Sequence, residues 1–338
     1  MQPSNNNSQP IILGIESSCD DTSAAVLKHG KIHSNIVATQ EVHKAFGGVV
    51  PEMASRKHQQ NIIPVVDAAL KKAGVSIGEV DARACTQGPG LMGSLLVGYT
   101  FTKGLALSLN KPILNVDHIT AHIYAHFIEH SPSFPFLCLL VSGGHTQIVR
   151  VDDGYTIEIL GATLDDAAGE AFDKAGKMLG LPYPAGPEID KLAKSGNKNA
   201  FAFNTPKTKD LSFSFSGVKT SILYTLQKLS RKNKNFIDEN ITDLCASIQH
   251  TIVSYLISKL SIALQQTNCK SIGIAGGVAA NSYLREQLAQ LAEEKAVEAF
   301  IPKFEYCTDN AAMIAFAGGI AFNKNEFGTL TDKCFTRK

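Results

Sequence analysis

Residues 11–37 read IILGIESSCDDTSAAVLKHGKIHSNIV and decide the predicted fold. Three short apolar runs, 11–15, 23–27 and 32–37, are separated by a polar turn and by a tight turn at 28–31. Apolar runs of this length between polar turns are typical of β-strands, so the stretch predicts a three-stranded meander. The first turn, residues 16–22, carries hydroxyls and backbone N–H groups that suit a bound phosphate.

The same pattern recurs at residues 136–160, which read FLCLLVSGGHTQIVRVDDGYTIEIL. Predicted strands at 136–141, 146–151 and 155–160 again flank a polar turn, here residues 142–145. Helical patterns and further strands follow each meander. The repeat predicts a duplicated α/β protein with two similar lobes and mixed sheets, and a nucleotide in the cleft between the two polar turns.

Length and composition agree with a compact two-lobe protein. The chain has 338 residues, 44% of them hydrophobic and 19% charged, and this length accommodates two domains. We predict a disordered tail at 1–10, lobe I at 11–117 with a returning C-terminal helix at about 318–338, and lobe II at 118–317. The tail has no apolar core, so a secretory signal is not predicted, and no apolar run reaches membrane-spanning length. No two of the seven cysteines form a Cys-x-x-Cys motif. This pattern favours reduced thiols in a cytoplasmic protein that is not bound to a membrane.

Charge is balanced overall but unevenly distributed. The net charge is +1. Residues 151–173 contain acids without Lys or Arg, whereas 194–234 contain nine Lys and Arg residues and one acid, Asp210. The basic segment is able to follow a phosphate backbone, although a solvated basic face has the same composition.

A histidine pair predicts a metal site. Asp117 is a good N-cap for a helix that carries His118 and His122 on one face, one turn apart. His126 and His130 continue the spacing, so three adjacent pairs are possible, and one ion takes only one of them. The alternative is a helix with packed or exposed histidines. A zinc protease would need Glu beside the first histidine as its general base, and Ile119 occupies that position.

Two glycine-containing turns predict close approach of a ligand to the backbone. Residues 87–94 open a helix after a strand, and Gly276-Gly277 follows the strand 272–275. A strand that ends in glycines before a helix is a common place for a phosphate or an adenosine ring.

Together these motifs resemble the TsaD (Gcp) family of tRNA adenosine threonylcarbamoyltransferases. The resemblance extends over nearly the whole chain, in family order, at GIESSCDDT (14–22), QGPGL (87–91), HxxxH (118–122), LVSGGHT (140–146), DDAAGEAFDK (165–174), FSFSGVKT (213–220), GGVAAN (276–281) and CTDN (307–310). It implies an actin/sugar-kinase/Hsp70-like duplicated two-lobe fold, in agreement with the repeated meander.

The resemblance also implies a ligand set. One metal ion, Fe²⁺ or Zn²⁺, would be held by His118, His122 and Asp309, although Asp309 also reads as a plain N-cap. The donor nucleotide, threonylcarbamoyl-AMP, would be held by Leu140, Val141, Ser142, Gly143, Gly144, Asp173, Gly186, Asp190 and Asn281. ATP or ADP with Mg²⁺ is a further candidate ligand. Ala185 stands where the family usually has a second glycine, and its methyl is expected to narrow the pocket slightly.

The implied reaction is metal-assisted acyl transfer. The threonylcarbamoyl group would pass to N6 of adenosine 37 in tRNAs that read ANN codons, with release of AMP. Ser142, the backbone N–H groups after it and His145 are candidates for steadying the oxyanion, and His145 and Glu16 are candidate general bases.

The implied partners are tRNA, a homologous TsaB-type protein and a small TsaE-type ATPase, and a homodimer is left open. Competing interpretations are an ATP-dependent phosphotransferase or ATPase of the same superfold, a metallopeptidase and a non-catalytic scaffold paralogue. The paralogue is expected to lose the histidines and Asp309, all of which are present.

Overall fold

The structure is a computed structural model that describes residues 9–337, apart from the side chains at 41, 44 and 45. Most of the predicted tail, residues 1–8, therefore lies outside the described residues. The strands of the described chain are β1 (Ile12–Glu16), β2 (Thr22–Lys28), β3 (Lys31–Ala38), β4 (Ala82–Gly88), β5 (Ile113–Asp117), β6 (Phe136–Val141), β7 (Thr146–Asp152), β8 (Thr156–Ala162), β9 (Ser271–Ala275) and β10 (Glu298–Phe300). The helices are α1 (Pro51–Ala73), α2 (Met92–Leu109), α3 (His118–Tyr124), α4 (Ala168–Met178), α5 (Ala185–Ala193), α6 (Ser216–Ser230), α7 (Phe236–Glu239), α8 (Ile241–Thr267), α9 (Ser282–Lys295) and α10 (Ala311–Asn323).

The described residues form two compact units. The first unit comprises residues up to 129 together with those from 309 onward, and the second unit comprises residues 130–308. Each contains one five-stranded sheet, with strand order β3-β2-β1-β4-β5 in the first and β10-β9-β6-β7-β8 in the second.

Both sheets have the same plan, so the predicted duplication and the mixed sheets are confirmed. β1, β2 and β3 pair antiparallel, and β4 and β5 continue the sheet in parallel beside β1. In the second unit β6, β7 and β8 form the antiparallel meander, and β9 and β10 lie parallel beside β6. Antiparallel neighbours need only short turns, whereas each parallel neighbour is reached through a helix.

Side-chain alternation along β1 gives the two faces of the first sheet different partners. Leu13 and Ile15 are buried with Val65 and Val66 of α1. Gly14 points to the opposite face, where its lack of a side chain leaves room for the backbone of α10. Successive strand residues face opposite sides, so α1 and α10 cover the two sides of this sheet.

The units do not divide where the sequence placed the lobes. The predicted second lobe began at residue 118 and ended at 317, but α3 and the start of α10 belong to the first unit. The physical reason is that β5 continues into α3 without a linker and that α10 packs along its length on β1, β2 and β4.

Residues 211–217 do not form a strand, although hydroxyl-bearing and apolar residues alternate there as they do in a half-buried strand. Only a single bridge joins Phe213 to Thr163, and α6 begins at Ser216. Asp165 prevents strand pairing because its carboxylate accepts from the backbone N–H groups of Phe215 and Ser216, at 2.7 and 3.2 Å. Asp165 lies three residues before α4, which begins at Ala168.

Among residues 9–337 no helix combines the length and the apolar character needed to cross a membrane. All seven cysteines are free thiols, and five of them are buried.

Gly14→Ala is expected to lower the free energy of unfolding by about 1–3 kcal/mol, the usual cost of overpacking. A Cβ at Gly14 would lie 2.6 Å from Ala311 O and from Ala315 N, so β1 or α10 would have to move. Gly104→Ala in α2 is the matched control, because a Cβ there meets no atom within 4 Å. It is expected to be neutral or to stabilise by up to about 1 kcal/mol. Urea titration measures the free energy of unfolding of both variants. If Gly14→Ala were as stable as the wild type, the close packing of α10 on β1 would be contradicted.

Candidate functional site

Two histidines and one aspartate meet in the first unit. His118 and His122 lie one turn apart on α3, with ring centroids 4.7 Å apart and planes nearly perpendicular. Asp309 Oδ1 lies 3.4 Å from His118 Nε2 and 3.2 Å from His122 Nε2. The structure therefore brings together the three residues predicted as metal ligands.

The donor atoms of this group fit one small cation. All three lie within 4.8 Å of one another. Ligands about 2.0–2.1 Å from a tetrahedral zinc ion are themselves about 3.3–3.4 Å apart, close to the two separations from Asp309 Oδ1. Two imidazoles and a carboxylate are also the donor types that zinc and Fe(II) accept in open sites.

The electrostatics of the group also suit a cation. Burial lowers the pKa of His122, so its imidazole is neutral, as a ligand must be. Burial alone would raise the pKa of Asp309, but the charge of His118 and hydrogen bonds from both histidines outweigh it, and the pKa falls. Burial likewise opposes the charge on His118, yet Asp309 and Glu16 raise its pKa well above the usual value. Two carboxylates thus require one positive charge between them, which a proton on His118 or a bound cation supplies.

Helix capping and metal ligation were alternative interpretations of Asp309, and adjacent residues take the two roles. Asn310 caps α10, since its side chain accepts from Met313 N at 3.1 Å. The carboxylate of Asp309 is consequently directed to the histidines. Asp117 caps α3 as predicted and accepts from Thr120 N at 2.9 Å.

The later histidines are excluded from this group by the end of α3. The α-helix ends at Tyr124 and continues as a short 3₁₀ turn, Ala125–Phe127, which contains buried His126. His130 belongs to the second unit, where its ring lies 5.5 Å from that of Phe300. A change of helix type alters the angle per residue, so the four-residue spacing no longer defines one face.

Glu16, a predicted general base, is used to orient His118. Its side chain is fully buried, and Oε2 lies 3.0 Å from His118 Nδ1. The same oxygen accepts from Thr86 Oγ1 at 2.6 Å, and the other oxygen accepts from Ser18 N. Ser18 Oγ is 3.2 Å from His118 Nδ1. A carboxylate behind a ligand histidine fixes its ring and tautomer.

Thr86 was not singled out from the sequence, although the strand pairing accounts for its position. Ile15 of β1 pairs with Cys85 of β4, so the next residues of the two parallel strands, Glu16 and Thr86, are neighbours. That register is not visible in either strand taken alone.

In the second unit the predicted nucleotide-binding turn is a closed hairpin. Leu140 and Val141 are buried at the end of β6. Ser142 N donates to His145 O at 2.8 Å, and Ser142 Oγ accepts from His145 N at 3.0 Å. A Cβ at Gly143 or Gly144 would meet no atom within 4 Å, so both glycines present open backbone.

The polar residues predicted to contact adenosine and ribose cap helices. Asp173 accepts from Ala185 N at 2.8 Å at the start of α5, and Gly186 lies in the same first turn. Asp190 accepts from Ser282 Oγ at 2.8 Å and from Ser282 N. These bonds set the direction of each carboxylate, which keeps further lone pairs for a ligand. Nucleotide contact by these residues stays a prediction.

Asn281 and Ala185 have well-defined surroundings. Asn281 caps α9 by accepting from Leu284 N at 2.9 Å, and its amide donates to Gln249 at 2.7 Å. The methyl of Ala185 is buried and directed at Gly176, where an added Cβ would lie 2.1 Å away. Gly176 therefore accommodates the methyl that departs from the family pattern.

The fold of the two units shows the class to which the protein belongs. The chain resembles HypF from T. kodakarensis with a TM-score of 0.65 at 13% identity, over 94% of this chain and 48% of that chain. It resembles a ROK hexokinase from Thermus thermophilus with a TM-score of 0.50 at 14% identity, over 94% of this chain and 99% of the other. The fold is the actin/sugar-kinase/Hsp70-like two-lobe α/β fold.

Sequence comparison then identifies the family. The model of the family described as "TsaD: tRNA N6-adenosine threonylcarbamoyltransferase" matches residues 31–316. Proteins of that name from Riemerella anatipestifer and Christiangramia forsetii are 54% and 55% identical to this chain. They cover 97% and 94% of it, over 98% and 94% of their own lengths. The chain belongs to the tRNA N6-adenosine threonylcarbamoyltransferase family and is an acyltransferase.

Glu16→Gln is expected to weaken metal binding about 10–100-fold, because an orienting carboxylate behind a ligand histidine contributes roughly this much. Purified metal-free protein is titrated with Zn²⁺ against a chromophoric chelator of known affinity. His118→Ala should lose tight binding of the single ion. His130→Ala is the control and should bind as wild type does, since His130 lies outside the group. Unchanged affinity in Glu16→Gln would show that the carboxylate does not support the site.

Proposed function

We propose that the chain transfers the threonylcarbamoyl group of threonylcarbamoyl-AMP to N6 of adenosine 37, in tRNAs that read ANN codons, and releases AMP. The observation that carries the proposal is the convergence of His118, His122 and Asp309 in a chain of this transferase family. The amine forms a bond to the carbamoyl carbon, the bond from that carbon to the phosphate oxygen breaks, and the amine loses a proton.

The second unit holds the adenylate part of the donor in this proposal. Gly143 and Gly144 support it because their backbone is open and follows directly on the buried strand β6. Backbone N–H groups in a turn of this kind are suited to steady a developing oxyanion. Asp173 and Asp190 are held by their capping bonds, so ribose hydroxyls would meet carboxylates whose orientation is already set.

The first unit supplies the metal ligands in this proposal. His118, His122 and Asp309 would hold one Fe²⁺ or Zn²⁺ ion, which when bound supplies Lewis-acid polarisation of the donor or positions its threonyl end. Glu16 keeps the His118 ring in place and, with its oxygens already bonded to His118, Thr86 and Ser18, does not serve as the base. His145 remains the candidate base. ATP or ADP with Mg²⁺ is kept as a further candidate ligand of the second unit.

The tRNA path is proposed to include the basic segment 194–234. Lys207 and Lys209 are exposed. Thr208 lies between them, and its Oγ1 is 3.1 Å from the hydroxyl of Tyr255 on α8, so this contact holds the loop that carries the two lysines. Lysines on a fixed surface attract the phosphate backbone with little dependence on its sequence.

The partners proposed are a homologous TsaB-type protein and a small TsaE-type ATPase, acting in the cytoplasm. Exposed apolar side chains on two adjacent helices support docking of a protein to the first unit. Ile63 of α1 is 65% exposed, and Leu96 and Leu107 of α2 are 48% and 69% exposed. A protein partner that covered these side chains would remove their apolar surface from water. A homodimer is the competing occupant of the same face.

A transfer assay tests the function. The purified chain and its partners receive threonylcarbamoyl-AMP and unmodified tRNA, and the nucleosides of the digested tRNA are analysed by mass spectrometry. Threonylcarbamoyladenosine should appear with wild type and with His130→Ala, and should fall at least about 100-fold with His118→Ala or Asp309→Ala, as expected on loss of a catalytic electrostatic group. No product from wild type beside partners proven active with another family member would overturn the proposal.

Charge reversal of Lys207 and Lys209 tests the tRNA path. The Lys207→Glu/Lys209→Glu variant should bind tRNA more weakly at low salt and flatten the slope of log K against log salt by about one to two. A Lys270→Glu/Lys295→Glu variant is the matched control, because both lysines are exposed in the second unit outside the basic segment. Equal slopes for the two variants and wild type would exclude residues 207–209 from the path.

A further inference from the structure

A cavity of about 430 Å³ lies in the second unit against α8, and neither the metal ligands nor the predicted nucleotide-binding residues line it. Small-molecule sites in proteins typically measure about 300–1,000 Å³. None of the described residues that line it is acidic. The lining includes Lys198, Phe201, His250, Ser254, Tyr255 and Ser258.

One wall is a polar face of α8. His250, Ser254 and Ser258 recur every four residues and therefore share one face of the helix. His250 Nδ1 lies 2.9 Å from the hydroxyl of Tyr283 and 3.2 Å from Ser254 Oγ, so the imidazole is oriented. The wall thus offers hydroxyls and an imidazole for hydrogen bonds to a polar planar ligand.

The aromatic part of the lining is held in place by its neighbours. Phe201 is partly buried, and its ring lies edge-on to Phe236 with centroids 5.6 Å apart. Tyr255 is 7% exposed, and its hydroxyl lies 3.1 Å from Thr208 Oγ1. Tyr255 is packed edge-on against Phe213 and Phe215, so Phe201 is the ring of this lining on which an unpaired base would stack.

One cation lines the cavity and two more lie on a neighbouring loop. The lining residue Lys198 has its Nζ 3.4 Å from the hydroxyl of Tyr283 and 5.4 Å from the centre of that ring. Exposed Lys207 and Lys209 flank Thr208, whose hydroxyl lies 3.1 Å from that of the lining residue Tyr255. The loop is fixed by buried Lys259, which donates to the carbonyls of Thr208 and Asp210 at 3.4 and 2.6 Å.

We propose that this cavity binds one unpaired nucleotide of the tRNA, separate from the adenosine that reacts. The inference rests on the proposed function, because it takes tRNA as the substrate. Aromatic rings and hydrogen-bonding groups suit the base, and a lining without carboxylates suits the phosphate. Lys207 and Lys209 extend the positive charge beyond the cavity, which favours a nucleotide within a chain over a free mononucleotide.

Filling the cavity tests the inference. Ser258→Phe places a ring in the space, and Gln266→Phe places the same ring on an exposed position of α8 that does not line it. Fluorescence anisotropy with unmodified tRNA should give a Kd about tenfold higher for Ser258→Phe, the effect of losing one stacked base. Gln266→Phe should bind as wild type does. If Ser258→Phe has a lowered Tm, Lys198→Ala is tested in its place, because it changes the cavity lining without adding volume.

Ultraviolet crosslinking locates the nucleotide directly. With wild type, mass spectrometry should find a nucleotide adduct on the peptides that contain Phe201 or Tyr255, and Ser258→Phe should lose it. Absence of the adduct, or an unchanged Kd in both cavity variants, would overturn the inference. If AMP binds in the cavity but does not weaken tRNA binding, the cavity is a mononucleotide site, and the inference is overturned.

The transfer assay separates this failure from failure of the proposed function. If wild type modifies tRNA and Ser258→Phe keeps its KM for tRNA, the cavity assignment is wrong and the function stands. If wild type makes no threonylcarbamoyladenosine beside active partners, the function fails and the cavity assignment fails with it.

Discussion

The missing side chain at Gly14 is the constraint on which the first unit depends. It allows the backbone of α10 to lie against β1, with Ala311 and Ala315 at the point of contact. Because Asp309 comes two residues before the start of α10, this packing also places its carboxylate. β5 of the same sheet continues directly into α3, so the sheet also positions the two histidines of that helix. Asp309 and the histidine pair, with 187 positions between His122 and Asp309, thus meet through one sheet and the helix packed on it.

Charge balance in that group explains why a buried glutamate is tolerated. Glu16 and Asp309 lie on opposite sides of the His118 ring, one at each nitrogen. An ionised carboxylate without a partner would be costly to bury, but an imidazolium or a metal ion between the two compensates both. The hydroxyl of Thr86 and the backbone N–H of Ser18 satisfy the remaining acceptor capacity of Glu16.

The second unit shows how helix caps prepare a ligand site. Asp173, Asp190 and Asn281 each stabilise a helix start or its neighbour, and all were predicted to face a nucleotide. Side chains held by backbone donors lose little further freedom when a ligand binds. Stability and the proposed binding therefore depend on the same residues, and substitutions there are expected to affect both.

The repeated meander, the mixed sheets, the histidine pair on a capped helix and the family can all be read from the sequence, because they follow from local periodicity and from motifs in order. The folded chain was needed to show that α3 and α10 belong with the first sheet, that Thr86 stands behind Glu16, and that Asn310 rather than Asp309 caps α10. It also showed that residues 211–215 form a loop whose end is held by Asp165. Each of these depends on strand register or helix packing between residues distant in sequence, and hydrophobic periodicity within a segment contains no information about such pairs.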